Sequence, residues 1–503
     1  MRIVIVLWMV PLLCQAYTPP AETGAIPALT LAATQPAPDA VLPALQPYQY
    51  AQAQNLDADV SSGSWSQDSN GLWHWRLRLS APGALSLALR LQSLQLPEQA
   101  ELWFYDTAGR DVQGPFTNAD GDSLLTPLVR SDEAVLDASM PAKARDSFAL
   151  RLTQIFLGIR PLLLDDYAKS AFGTAGACTI DVACSDGDAW RDDIRSVVLI
   201  TIEGTTLCTG TLMNNTAQDD RALILTAEHC GVDASTVSQT RAYFNVQKSR
   251  CAGGSSSGIT QNMTGARVLA ASTTLSNTDY TLFELSGKPP LTYNVYYAGW
   301  DVTGAVPASG VGISHPSGDD KKISTFSSPP SSQNSICIGL LGVGNVCVGI
   351  TIRAWSVSWS RGATQPGSSG SGLWNPQHRV VATLSGGNDG CSSSDPSRSN
   401  GGTAVYQRLD LAWSAASSTG TKLQALLDPL NTGCTGLSGK NYGNASTSGC
   451  GSVPGSSGQD SGGGGSSSGG GGGGGGMGLL GLLPLLALGT LRHARRATGS
   501  GAP

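Results

Sequence analysis

Runs of four to eight apolar, β-branched and aromatic residues recur along most of this chain, each cut short by Gly, Ser, Asp or Pro. Val197 to Ile202 (VVLITI), Leu223 to Thr226 (LILT) and Tyr280 to Leu285 (YTLFEL) are examples, as is the alternating run Leu72 to Leu79 (LWHWRLRL). Such punctuation restricts a chain to short strands joined by turns, and these pack as sandwiches or barrels. Between about Gly173 and Pro429 no G-x-G-x-x-G string, Walker loop or strand–helix alternation appears, which speaks against a nucleotide-binding α/β fold there. Composition agrees. Charged residues make up 14% of the chain, where an ordinary soluble domain has about 25%. The chain is 503 residues long, which leaves room for two or three domains of roughly 150 residues each. The net charge of −6, without a basic stripe, gives no footing for a nucleic-acid partner.

The ends indicate the compartment. Arg2, the apolar stretch Ile3 to Leu13 and the small-residue site Cys14-Gln15-Ala16 read as a signal peptide over residues 1–16. Of 11 cysteines, Cys14 leaves with that peptide, and an even number remains. An even set in an exported chain implies disulfides, not metal or redox chemistry. No metal ligand set and no cofactor motif is found. At the other end, residues 433–476 form a Gly/Ser-rich linker stapled by cysteines. Residues 477–503 carry the apolar segment Met477 to Leu491, interrupted by Pro484, and then Arg492, Arg495 and Arg496. That segment is short of the roughly 20 residues a membrane span needs.

Between the ends, residues 17–63 are rich in Ala, Pro and Gln and read as an extended linker. Residues 64–172 alternate apolar and polar residues and read as a small β-sandwich without a reactive constellation. His74, between two tryptophans in one of its strands, reads as a packed side chain. A larger β-rich block, residues 173–432, has the length of two packed barrels.

That block holds the candidate chemistry. Among the histidines, His315 and His378 read as surface loop residues beside prolines, and His493 lies in the tail. His229 stands apart, closing an apolar strand in Thr226-Ala227-Glu228-His229-Cys230-Gly231. The string Gly367-Ser368-Ser369-Gly370-Ser371-Gly372 can turn tightly, because its glycines tolerate unusual φ angles. Such a turn can present a serine outward and aim two backbone N–H groups at one point. A serine hydroxyl needs a neighbouring base before it becomes a nucleophile. Asp279, in Asn277-Thr278-Asp279-Tyr280, opens another apolar strand.

His, Asp and Ser in this order, each at a strand edge, resemble the chymotrypsin-fold serine endopeptidases, and within them the bacterial lysyl endopeptidase group. The likeness extends to Cys178-Thr179-Ile180-Asp181-Val182-Ala183-Cys184, Cys208-Thr209-Gly210-Thr211-Leu212, Ala298-Gly299-Trp300-Asp301 and His315-Pro316-Ser317-Gly318. It implies an all-β, two-barrel protease domain over 173–432, preceded by the sandwich, which would be a pro-region or an accessory domain. It implies that Ser369 is the nucleophile, His229 the general base and Asp279 its orienting carboxylate. The N–H groups of Gly367 and Ser369 would form the oxyanion hole, and Ser385-Gly386-Gly387 would lie beside the substrate backbone. It further implies the pairs Cys178–Cys391, Cys184–Cys251 and Cys208–Cys230. Cys337 with Cys347, and Cys434 with Cys450, complete the set.

The resemblance has departures. Asn400 stands where lysine-specific members carry the pocket aspartate. A dipole there replaces a full charge, so a basic P1 preference stays open, and Asp395 or Asp389 on a shifted loop is an alternative. Ser385 stands where those enzymes have a histidine. Glu228 replaces a small residue before the base and is expected to perturb its pKa. The tail from Gly451 onward resembles the glycine-glycine sorting signals that a rhomboid-type intramembrane protease cuts in Gram-negative bacteria. Protein or peptide substrates, signal peptidase, that sorting protease and a transient membrane contact are the implied partners, and the location is secreted or cell-surface. The competing reading is a catalytically silent, protease-like surface binding protein. The intact His229, Asp279 and Ser369 speak against it.

Overall fold

The computed structural model describes residues 26–35, 47–162 and 175–444, apart from 257, 274–275, 342–346, 389–390 and 392–401. The chain divides into two compact units, Met1–Val453 and Pro454–Pro503. The second unit lies outside the described residues, as do the expected signal peptide and the apolar tail segment.

The first unit begins with a two-sheet module. One sheet pairs Trp73–Ser80 with Glu133–Met140 and continues through Glu101–Asp106 to Val112–Phe116. The other orders Ala51–Asp59, Ala149–Gly158, Leu87–Gln95 and Leu124–Leu125. The period-two alternation has a direct consequence here. Trp75, Leu77 and Leu79 face Leu89, Leu91 and Ile155 in one core between the sheets. His74 lies on the opposite face, buried, with Nδ1 2.9 Å from Asp137, as a packed residue should. The stretch 17–63 is not wholly a linker. Ala28–Thr30 runs parallel to Trp73–Ser80, and Ala51–Asp59 pairs with Ala149–Gly158. Ala/Gln-rich strands at a sheet edge carry a weak apolar signal, which is why composition misled there.

The larger block starts with a closed six-stranded barrel. Its order is Val197–Ile202, Thr240–Phe244, Asn262–Ala271, Thr281–Leu285, Leu223–Thr226 and Thr206–Met213, and the last pairs back to the first. Val198 and Ile200 point into this barrel, whereas Val197 packs against the following half and Leu199 against the N-terminal module. A strand covered on both faces reads as an unbroken apolar run, as VVLITI does. The second half is a ten-stranded sheet that includes Gly310–Ser314, Gly372–Trp374, Arg379–Gly387 and Thr403–Arg408. Trp300, Ile313, Trp374 and Val380 from it share a core with Met213, Leu225 and Leu282 of the barrel. Helices are short, such as Leu409–Trp413 and Leu423–Leu427. The architecture is all-β, as expected. Four disulfides close it among the described residues: Cys178–Cys391, Cys184–Cys251, Cys208–Cys230 and Cys337–Cys347. Cys434 is buried, and its expected partner Cys450 lies outside the described residues.

Candidate active site

Strand register brings the first two side chains together. Leu223–Thr226 pairs antiparallel with Thr281–Leu285, and Thr226 stands opposite Thr281. The residues just after the first strand and just before the second therefore emerge at the same end. A single helical turn, Glu228–Cys230, follows the first strand and stops at Gly231 in a left-handed conformation with φ 78°. It turns His229 back over Asp279. One carboxylate oxygen of Asp279 accepts the His229 backbone N–H at 3.0 Å, and the other lies 2.8 Å from Nδ1. This double hold fixes the ring plane and the tautomer. Because an ionised carboxylate only accepts, the proton stays on Nδ1 and Nε2 keeps its lone pair.

Burial and charge oppose each other at this pair. Burial pushes the fully buried Asp279 carboxyl up, but the His229 charge and its hydrogen bonds pull it below its ordinary value. Burial likewise pushes His229 down, yet the charges of Asp279 and Glu228 and the Asp279 hydrogen bond outweigh it and raise the imidazole. Glu228, at the rim, is raised by burial and by the neighbouring Asp279 charge. The expected influence of Glu228 on the His229 pKa is thus present. The Ser385 hydroxyl is buried and makes no hydrogen bond among the described residues.

The third side chain arrives from the second half. Gly367 has φ 94° and Gly370 φ 82°, so the backbone at both positions suits glycine. A Cβ at Gly370 would stand 2.1 Å from Thr226 Oγ1 and 2.8 Å from the Ala227 nitrogen. The turn therefore presses on the chain that leads directly to His229. Thr209 ties it down from below. Its N–H donates to the Ser369 carbonyl at 2.8 Å, and its hydroxyl donates to the Gly367 carbonyl at 2.9 Å. Gly370 N–H reaches the Leu384 carbonyl at 2.8 Å. Ser368 is buried and takes a hydrogen bond from Ser314 at 3.0 Å. Ser369 is half-buried, with a hydroxyl free of hydrogen bonds among the described residues. The Gly367 and Ser369 N–H groups likewise have no partner among the described residues. Two unpaired donors in one tight turn can bind an oxygen that gains negative charge.

The remaining expectations divide. Gly386 and Gly387 pair on one side with Val405 and Ala404. On the other side, Gly372–Trp374 reaches no further along this strand than Thr383, which leaves Ser385 to Gly387 beside the Ser369 turn. Asn400, Asp389 and Asp395 lie outside the described residues. His315 is a correction. It is fully buried and not on a surface loop, because the tight turn Pro316–Gly318 folds it inward under Gly367. Its N–H bonds Thr209 Oγ1 at 3.0 Å, and burial together with Lys321 pushes its pKa down to about 3. His378 lies in a turn, half-exposed, with Nδ1 2.6 Å from Asp193. Sequence reasoning assigned no role to Thr209, although it sits within the quoted string Cys208 to Leu212. Its partners Gly367, Ser369 and His315 lie more than a hundred positions away, which no local signal shows.

Residues 172–403 match the family model for the C-terminal domain of lysyl endopeptidase. The chain is 28% identical over 344 residues to the lysyl endopeptidase of Pseudomonas aeruginosa, which covers 63% of this chain and 68% of that protein. Among solved structures, the active form of an M. tuberculosis protease covers 49% of this chain and 88% of its own at 14% identity, with a TM-score of 0.29. A Glu endopeptidase in complex with MPD covers 47% and 93% at 16% identity, with the same TM-score of 0.29.

Proposed function

We propose that this chain is a serine endopeptidase in which Ser369, His229 and Asp279 act as a catalytic triad. The observation that carries the reading is the double hold of Asp279 on His229, with the Gly370 turn packed against the end of the same strand. Ser369 Oγ attacks the scissile carbonyl while His229 Nε2 takes its proton. The tetrahedral oxyanion lies on the Gly367 and Ser369 N–H groups. His229 then delivers the proton to the leaving amine, and an acyl-enzyme remains on Ser369. Water, activated by the same imidazole, releases the acid. Asp279 stays ionised throughout and stabilises the imidazolium.

The substrates are proteins or peptides, whose backbone pairs with Ser385-Gly386-Gly387. Preference for a basic P1 residue is part of this proposal, supported by the similarity to lysyl endopeptidase. A peptide library with varied P1 tests it, and cleavage after apolar residues removes the lysyl label. Export through the signal peptide, sorting through the C-terminal segment by a rhomboid-type protease and a secreted or surface location complete the reading. N-terminal sequencing of the secreted protein distinguishes removal of the module, with a start near Gly173, from retention, with a start near Tyr17.

The decisive experiment is labelling with a small fluorophosphonate. Wild type should label, and Ser369→Ala should lose both the label and at least about 10⁴-fold in kcat. An unlabelled wild-type protein would rule the enzyme out in favour of a silent binding protein.

A further inference from the structure

The strand Thr206–Met213 has one edge directed at the Ser369 turn, and that edge has three successive neighbours. Thr211 to Met213 pair with Leu223 to Leu225. Thr209 gives its N–H to the Ser369 carbonyl. Leu207 and Thr206 pair antiparallel with Tyr48 and Gln49, and Tyr50 N–H reaches the Thr205 carbonyl at 2.9 Å. Backbone groups change sides at every residue along a strand, so Thr211, Thr209 and Leu207 face the same edge. The Tyr48–Gln49 strand therefore continues that edge directly past the nucleophile, about 7 Å from the Thr209 amide. On the endopeptidase reading, a peptide whose acyl side runs along Ser385 to Gly387 and crosses Ser369 would leave toward this position.

The segment is firmly seated. The Arg160 guanidinium bonds the Gln49 carbonyl and stacks 5.5 Å over the Tyr48 ring. Ile159 and Arg160 N–H groups both reach the Tyr50 carbonyl, at 2.8 and 3.1 Å. Buried Leu162 lies beside Leu207 against Gly318, where a Cβ would meet their methyls at 2.4 and 2.8 Å. Leu207 in turn stands 2.9 Å from a Cβ placed on Gly367. The anchoring residues Ile159, Arg160 and Leu162 all belong to the same module, residues 47–162.

We propose that Tyr48–Gln49 is a built-in strand cover on the leaving-group side of the cleft. It occupies by strand addition the edge that an extended substrate needs, and it leaves Ser369 and the acyl side open. A chain that retains residues 47–162 then accepts acyl substrates with a small leaving group and excludes peptides that continue several residues past the scissile bond. The proposal rests on the endopeptidase reading above.

The test compares two substrates with the same acyl sequence, one ending in a p-nitroanilide and one continuing for four residues. Intact mass verifies that each preparation retains residues 47–162. Tyr48→Pro removes the ladder N–H at that position. Arg160→Met, a second variant that leaves the ladder residues in place, removes the clamp. In either variant the ratio of kcat/KM for the extended over the short substrate should rise about tenfold, the size of one or two ladder hydrogen bonds. The rate on the anilide should change by less than about twofold, since uniform binding on the acyl side is untouched. An unchanged ratio in the folded variants, or an equal rise on both substrates, overturns the cover. Fluorophosphonate labelling reads Ser369 alone, so loss of the endopeptidase reading would be seen separately.

Discussion

His229 draws its basicity from two carboxylates. Asp279 holds its ring, and Glu228 adds a second negative charge from the rim; together they overcome the burial that would otherwise lower the imidazole pKa. A general base must be neutral to take a proton, so activity rises as pH passes the folded pKa. The midpoint of the acid limb of kcat/KM should therefore lie above the ordinary histidine value of about 6.5. Glu228→Gln removes one of the raising charges and should move that midpoint down without abolishing turnover. A pH–rate profile of both proteins measures this, and an unmoved or upward-moved midpoint contradicts the assigned cause. Glu228 could be picked out in the sequence because it is adjacent to His229. The burial of His315 could not, because what covers it is the Gly367 turn, 52 residues later.

At the scale of the element, the site depends on how two turns meet. The His229 turn and the Ser369 turn come from different halves and touch through Gly370, where only a hydrogen fits against Thr226. Gly370→Ala would put a methyl on Thr226 and hold a side chain at φ 82°. Relief requires the Ser369 turn to back away from Thr226 and Ala227, which lead directly into the His229 turn. We expect a loss of roughly 100-fold in kcat, in line with a displacement near 1 Å at a reacting group. Stability should fall by about 1–3 kcal/mol from steric and backbone strain. Kinetics and thermal unfolding of the same preparation check the pair. Undiminished kcat would mean that the packing of Gly370 does not position the serine. The double-glycine string showed a special turn; its pressing on Thr226 depends on pairings made across the molecule.

The whole molecule joins the N-terminal module to the first barrel over an apolar seam. Tyr48, Ala88, Leu128 and Phe156 of the module meet Leu199, Leu207 and Tyr243 of the barrel. Arg241 reaches across to the Leu125 carbonyl at 2.7 Å. Phe156 lies over Gly204, where a Cβ would touch its ring at 2.9 Å. Phe156→Ser should weaken the seam by about 3 kcal/mol, the usual loss for a large buried side chain. Urea unfolding followed by tryptophan fluorescence and by far-UV circular dichroism should then separate into two transitions, where the wild type, with its seam intact, should show one. Coincident curves in the variant would mean that the two parts unfold only together. By itself the amino-acid order determined the all-β class and, through family likeness, the pairs Cys178–Cys391, Cys184–Cys251 and Cys208–Cys230, and it singled out His229, Asp279 and Ser369, because strand period, turn chemistry and short motifs are local properties. Tertiary structure alone decided that residues 17–63 supply strands, that His315 is buried, that Thr209 anchors the Ser369 turn and that Tyr48–Gln49 adds to the edge beside it. Each of these depends on which distant backbone comes to pair or pack, and a sheet edge bears no mark in the sequence of the strand that will occupy it.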